Sequence, residues 1–217
     1  MRMRLLPLLI ACLLTVTACA EGMDKAAPGR NFFLSAELDN AHAMQGYLAD
    51  GVDPNARNSR GETPLTLAIK NESWHVLEVL VADPRTQLDQ ADDAGETPLM
   101  LAALKGRLDW VKTLSARGAK INRAGWTPLQ YAASGPDNGV VAWLLAQGAD
   151  INAQAPNGST ALMMAVRYAP AGTAELLLIK GANVRLQHQN GRNAADFARD
   201  AGREDLAAKI ALAAAQH

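Results

Sequence analysis

The 217-residue chain offers few side chains for covalent or metal chemistry. Its cysteines, Cys12 and Cys19, both fall within the first twenty residues. Beyond them no thiol is available for a disulfide, a zinc thiolate or a nucleophile. His42, His75, His188 and His217 are scattered, with no spacing that would place two imidazoles on one helix face, and read as surface residues. Asp92-Asp93 could attract a cation, and Met163-Met164 a soft metal. The bland readings are an acidic turn and an adaptable core filler. No P-loop, H-E-x-x-H, G-x-S-x-G or Rossmann glycine pattern stands in its required context. The expectation is a chain that catalyses nothing and folds without metal or cofactor.

Cys19 has a different use. Arg2 and Arg4 precede an apolar run from Leu5 to Val16, too short for a comfortable membrane span of about 20 residues. Val16-Thr17-Ala18-Cys19 resembles a bacterial lipobox, which implies cleavage before Cys19 and lipid attachment there. The alternative is cleavage after Ala20 by the ordinary signal peptidase, at Ala18-Cys19-Ala20, giving a soluble periplasmic protein. Leu9-Ile10-Ala11-Cys12 fits the same pattern but would leave too short an apolar run. The division expected is 1–18 signal peptide, 19–30 lipidated N-terminus and tether, 31–217 folded domain. The folded domain would lie on the periplasmic side of the outer membrane, reached through a lipid anchor only.

The elements that position everything else are repeated. Thr63-Pro64-Leu65 returns as Thr97-Pro98-Leu99 and Thr127-Pro128-Leu129, then as Thr160-Ala161-Leu162 and Asn193-Ala194-Ala195. A second marker keeps phase with it: Gly118-Ala119-Lys120-Ile121-Asn122, Gly148-Ala149-Asp150-Ile151-Asn152 and Gly181-Ala182-Asn183-Val184, with Gly51-Val52-Asp53 an earlier copy. Thr suits a helix N-cap, and Pro suits the first helical position, where no amide donor is needed. Leu65, Ala68 and Ile69 then share one helix face, and Val76, Leu77, Leu80 and Val81 share the face of a second helix. The Gly that follows supplies a left-handed cap. With two motifs in register, the sequence resembles the ankyrin repeat family from about Phe32 to the C-terminus.

That resemblance implies an all-α solenoid of about six helix-turn-helix repeats joined by short β-hairpins, with irregular first and last units. It also implies a rigid concave face for binding proteins, built from hairpin tips and first helices, and makes Asp92-Asp93 an ordinary acidic tip. Three departures carry expectations. The family's His after T-P-L is replaced by Thr66, Met100, Gln130, Met163 and Asp196, so the hydrogen bonds between helix N-termini should be weaker or different. The turns at Ser134–Gly139 and Tyr168–Gly172 should shorten the adjoining helices by about a turn. Asp83-Pro84 should end its helix without the usual glycine.

The connection from Gly118 to Thr127 is three residues shorter than its counterparts, with Trp126 at its base. Its tip should sit back, leaving a notch floored by Trp126 between the tips on either side. The expected partner-binding residues are Arg60, Lys70, Asp93, Leu104, Lys105, Trp126, Asn157, Arg167 and Tyr168. Trp126 could instead simply pack over the neighbouring repeat. The net charge of −1, with no basic stripe, argues against nucleic acid. The expected function is a non-catalytic protein–protein interaction module of the cell envelope, whose partner is an envelope enzyme, a toxin or an assembly. The competing reading is a small-molecule or cell-wall-fragment binder that stacks its ligand on Trp126 and Tyr168.

Overall fold

The computed structural model describes residues 29–170 and 172–215. The expected signal peptide, Cys19 and most of the expected tether lie outside that range. Twelve helices form six pairs among the described residues. They are α1 (Arg30–Glu37) with α2 (Ala41–Ala49), α3 (Pro64–Lys70) with α4 (Trp74–Ala82), and α5 (Pro98–Leu104) with α6 (Leu108–Ala116). The series continues with α7 (Pro128–Ala132) and α8 (Asn138–Ala146), α9 (Ala161–Tyr168) and α10 (Thr173–Ile179), and α11 (Ala194–Asp200) and α12 (Glu204–Ala215). The first helices stack in chain order, each against the next, and one hydrophobic core runs from Phe32 to Ile210. Each pair is too small to bury its own apolar face, so the stacking supplies the stability.

The caps explain why each pair begins where it does. The hydroxyls of Thr63, Thr97, Thr127 and Thr160 accept from the backbone N–H three residues on, and Asn193 does the same with its amide oxygen. Pro64, Pro98 and Pro128 occupy the first helical turn. Where the family carries His, the replacements behave differently from one another. Thr66 bonds back to its own cap residue, and Asp196 does the same while also pairing with Arg199 one turn on in its own helix. Gln130, 1% exposed, accepts from Thr127 N–H at 2.9 Å and donates to the carbonyls of Ala153 (3.0 Å) and Ser159 (2.9 Å) in the next hairpin. One repeat boundary therefore keeps a tie of the expected kind, made by an amide.

Each of the two turns shortens one of its adjoining helices, by two residues rather than a full turn. Helix α7 has five residues against seven in α3 and α5. Helix α9 keeps eight residues, and α10, on the far side of its turn, is the shortened one, at seven. Helix α9 ends at Tyr168 because Pro170 forces the residue before it, Ala169, into an extended conformation (ψ 156°), in which it is buried. Helix α4 keeps nine residues despite Pro84. It leaves through an extended Asp83 whose carboxylate holds Arg85, and Arg85 in turn donates to the Leu48 carbonyl of the preceding repeat. Trp74 and Trp110 stack at 6.3 Å between α4 and α6, so these tryptophans are packing residues.

No described residue is in a β-strand. Four of the five connections nevertheless close as hairpin turns. The N–H of Asn58, Asp92, Ala155 and His188 donates to the carbonyl of Glu62, Glu96, Ser159 and Arg192 respectively. The fifth, between Gly118 and Thr127, makes no such bond among the described residues. Its Arg123 reaches back to the Gly95 carbonyl at 2.9 Å.

Candidate functional site

Two clusters occupy the surface formed by first helices and hairpins. Each is assembled from the same phases of neighbouring repeats: seven residues after the cap residue, one before it, and five before it.

The first cluster centres on Lys70 at the end of α3. Its ammonium meets Asp92 at 2.6 Å, Glu96 at 3.1 Å and Glu62 at 3.4 Å. The Asp92 side chain is only 2% exposed and also accepts from the N–H groups of Ala94 and Glu96. Burial opposes the charge on Lys70, but the bonds to Asp92 and Glu96 outweigh it and raise its pKa above the ordinary lysine value. Burial likewise opposes ionisation of Asp92 and Glu62. The bond from Lys70 to Asp92, and those from Asn58 and Arg60 to Glu62, reverse the balance and hold both carboxyls below the usual range. Arg60 pairs with Glu62 and Glu37, and Asp93 with Arg57, so the hairpin tips here are laced together. Asp93 also lies over Gly61, where a Cβ would come within 2.0 Å of its carboxyl carbon. Lys70, Arg60 and Asp93 were expected to face a partner; each makes an ion pair with a neighbouring repeat or hairpin, Lys70 partly enclosed by it and Arg60 and Asp93 still largely exposed.

The second cluster is the notch. Leu104, Trp126, Tyr131, Ser134, Met164 and Tyr168 line a cleft of about 400 Å³. An adjoining depression of about 110 Å³ shares Trp126, Met164 and Tyr168 and adds Asn157, Ser159, Met163, Arg167, His188 and Phe197. Five of the expected residues thus come together: Leu104, Trp126, Asn157, Arg167 and Tyr168. Lys105 stands apart, paired with Glu72 at 2.9 Å. Trp126 is half-buried, its ring edge-to-face with Tyr131 at 6.2 Å, so it both packs and lines the cleft. Tyr168 is 55% exposed. The Arg167 guanidinium lies 5.3 Å from the Tyr168 ring and 5.8 Å from Phe197, and Arg192 covers Phe197 at 4.8 Å.

Tyr131 joins the clusters. Its hydroxyl donates to Glu96 at 3.2 Å, and burial, followed by the Glu96 charge, pushes its pKa up to about 12. Sequence reasoning missed Tyr131, Met164 and Phe197 as lining residues. The signal was present: each stands four residues after its cap residue, where Leu67 and Leu101 are buried aliphatics in the first cluster.

Nothing in this geometry activates a nucleophile. Among the described residues no three His, Cys, Asp or Glu gather as a metal site, and no helix is long and apolar enough to cross a membrane. What the fold and the cleft define is a helical repeat scaffold that presents a fixed side-chain surface. The ankyrin repeat family model matches in three overlapping copies over residues 32–124, 86–155 and 121–188, and the chain belongs to that family. Its repeats are protein–protein interaction modules, and the fold is generally a non-catalytic scaffold.

Curated relatives include the rat ankyrin repeat and SAM domain-containing protein 6 (33% identical over 134 residues, 57% of this chain and 15% of that protein). Mouse Rabankyrin-5 is 27% identical over 154 residues, 68% of this chain and 13% of that protein. The chain thus spans only a small fraction of these relatives. Among solved structures, a chain from a complex of a Bdellovibrio bacteriovorus predatory endopeptidase with an immunity protein is similar, with TM-score 0.71 and 25% identity. The match covers 84% of this chain and 97% of that one. An ankyrin repeat domain from Acinetobacter baumannii shares the fold (TM-score 0.67, 24% identity, 84% of this chain and 97% of that one).

Proposed function

We propose that this protein is a non-catalytic binding protein of the bacterial envelope, lipidated at Cys19, which engages a partner protein through the Trp126–Tyr168 cleft. The observation that carries the reading is the cleft itself. It places exposed aromatic rings, an aliphatic wall and an arginine on a rigid repeat surface, the composition of interface anchor sites. An envelope enzyme is the partner class to try first. The similarity to a chain from an endopeptidase–immunity complex supports that choice, and the lipobox-like leader supports the compartment.

Photo-crosslinking in intact cells tests the reading. A benzophenone side chain at Ser134 or Leu104 should give one discrete protein adduct, identified by mass spectrometry, and at Glu78 on α4 it should give none. Equal adducts from all three positions, or cell-wall fragments captured in place of protein, would overturn it. Lipidation is tested separately: a fatty-acid analogue should label the wild type and not Cys19→Ser, and two or more acyl chains would anchor stably. Equal labelling of both would exclude the anchor.

A further inference from the structure

The two clusters are the same arrangement with opposite chemistry. Lys70 stands seven residues after its cap residue, and its carboxylates come from the position before its own cap (Glu62) and from two positions of the next hairpin (Asp92, Glu96). Arg167 stands at the same phase of its repeat. The three corresponding positions around it hold Ser159, His188 and Arg192. A cation is therefore kept where the internal counter-ions have been removed.

The groups that face this depression are hydrogen-bond donors. Arg167 makes no ion pair among the described residues. His188 Nδ1 accepts from Asn190 N–H at 3.3 Å, which leaves its ring proton on Nε2. Asn157 uses its side-chain oxygen to cap Ser159 N–H at 3.0 Å, and its amide nitrogen has no acceptor among the described residues. Arg192 is engaged by Asp200 and adds positive potential beside the site. No carboxylate lines the depression, and the larger apolar cleft shares its wall.

We propose that the paired depressions take an exposed loop of the partner protein in which a bulky apolar side chain stands beside an aspartate or glutamate. The apolar side chain fills the cleft between Leu104, Trp126 and Tyr168. The carboxylate takes the place by Arg167 that Asp92 takes by Lys70. This rests on the reading of the cleft as a protein-binding site and adds the chemistry of what enters it. An internal acidic side chain is the occupant because it re-creates the Lys70 cluster, in which all three carboxylates are side chains of hairpin turns.

The test is selection of displayed loops of about twelve randomised residues, closed by a disulfide, on the full chain. Recovered loops should converge on a bulky apolar residue within a few positions of Asp or Glu. Changing that acid to its amide should weaken binding to the wild type about ten-fold or more. Against Arg167→Gln the same change should cost less than about two-fold, since the coupling is then absent. Arg167 is exposed and without ion pairs, so its replacement leaves folding intact; a circular dichroism melt checks this. Loops that bind Arg167→Gln and wild type alike, or binding carried only by a free C-terminal carboxylate and lost on amidation, would overturn the proposal. If the acid-to-amide change is silent but Trp126→Ala abolishes binding, the proposal fails while the cleft reading stands. If neither variant affects any recovered loop, both fail.

Discussion

Lys70 and Arg167 occupy the same step of the same repeat, yet one is enclosed and the other is presented. Around Lys70 three carboxylates from two hairpins close an ion-pair cluster that ties repeats together. Around Arg167 the same positions carry a hydroxyl, an imidazole and a second guanidinium, and an apolar cleft opens beside them. The backbone is copied and the side chains are not. The difference teaches that a cation on this surface has no fixed meaning. Its role is set largely by residues of the next hairpin, more than twenty positions away along the chain, which the stacking brings to its side.

The largest effect should come from opening the enclosed cluster. Lys70→Met leaves Asp92 buried without its counter-ion and strands Glu62 and Glu96 beside it. Removing one partner of such a pair typically costs about 3–5 kcal/mol when fully buried. With Lys70 itself 30% exposed, a loss of about 2–3 kcal/mol is expected in urea unfolding. Arg167→Met should change stability by no more than about 0.5 kcal/mol. Equal losses at the two positions would erase the contrast.

The pH dependence should also be one-sided. Asp92 and Glu62 titrate below their ordinary values, so their contribution is present above about pH 4.5 and is lost as pH falls through their folded pKa values. Lys70 titrates above its ordinary value, so its contribution is complete below its unfolded value of 10.5 and fades only beyond it. Tyr131, pushed up to about 12, keeps its proton while an unfolded tyrosine loses it near 10, so stability falls between those values. Urea midpoints should therefore change little between about pH 5 and 9, apart from a small fall as His75, held protonated by Asp39 in the folded state, loses its proton above its ordinary value. The alkaline fall should be smaller in Tyr131→Phe, and Lys70→Met should flatten the acid fall. An acid limb unchanged in Lys70→Met would detach these carboxylates from the lysine.

Much of this was legible in the sequence. Thr-Pro-Leu, its degenerate copies and the Gly-Ala markers place the helix pairs after the first, because caps and turns are local chemistry. The short connection and Trp126 located the cleft, and five of its residues followed. The individual roles of Lys70, Arg60 and Asp93 were not read, because each depends on which side chain the next repeat sets opposite it. Phase alignment could have shown it: Glu62, Asp92 and Glu96 line up with Ser159, His188 and Arg192. The turn at Tyr168–Gly172 was legible, since Ala169 before Pro170 leaves the helix as such a residue must; which of the two adjoining helices would be short was not.

Trp126→Ala distinguishes the regions at intermediate scale. Its ring rests on Tyr131 but is only half-buried, so a stability loss of about 1–2 kcal/mol is expected, less than for a fully buried aromatic. Partner affinity should fall by about 2 kcal/mol or more, as for an interface anchor. A loss of 3 kcal/mol or more in the melt with unchanged binding would make Trp126 packing alone. Gln130→Ala, which strands the Ala153 carbonyl and takes one of two donors from the Ser159 carbonyl, should cost about 1–3 kcal/mol without touching binding residues.

The smallest expected change in stability is also the most direct conversion of one region into the other. His188→Asp puts a carboxylate where Asp92 stands in its own hairpin. The turn is ready for it: Asn190 N–H, which now donates to His188 Nδ1, corresponds to Ala94 N–H, which donates to Asp92. The new carboxylate faces Arg167 and can pair with it. Because Arg167 is exposed, the pair is worth only about 0–1 kcal/mol, and loss of the His188–Phe197 edge contact offsets part of that. The melt should therefore move by no more than a few degrees in either direction. Binding should respond far more, since an internal acid now occupies the place of the partner's. Adding Arg192→Glu should deepen that loss by completing the resemblance to the Lys70 cluster. If His188→Asp binds partner loops as tightly as the wild type, the open half is not waiting for a carboxylate, and the contrast with Lys70 is only one of packing.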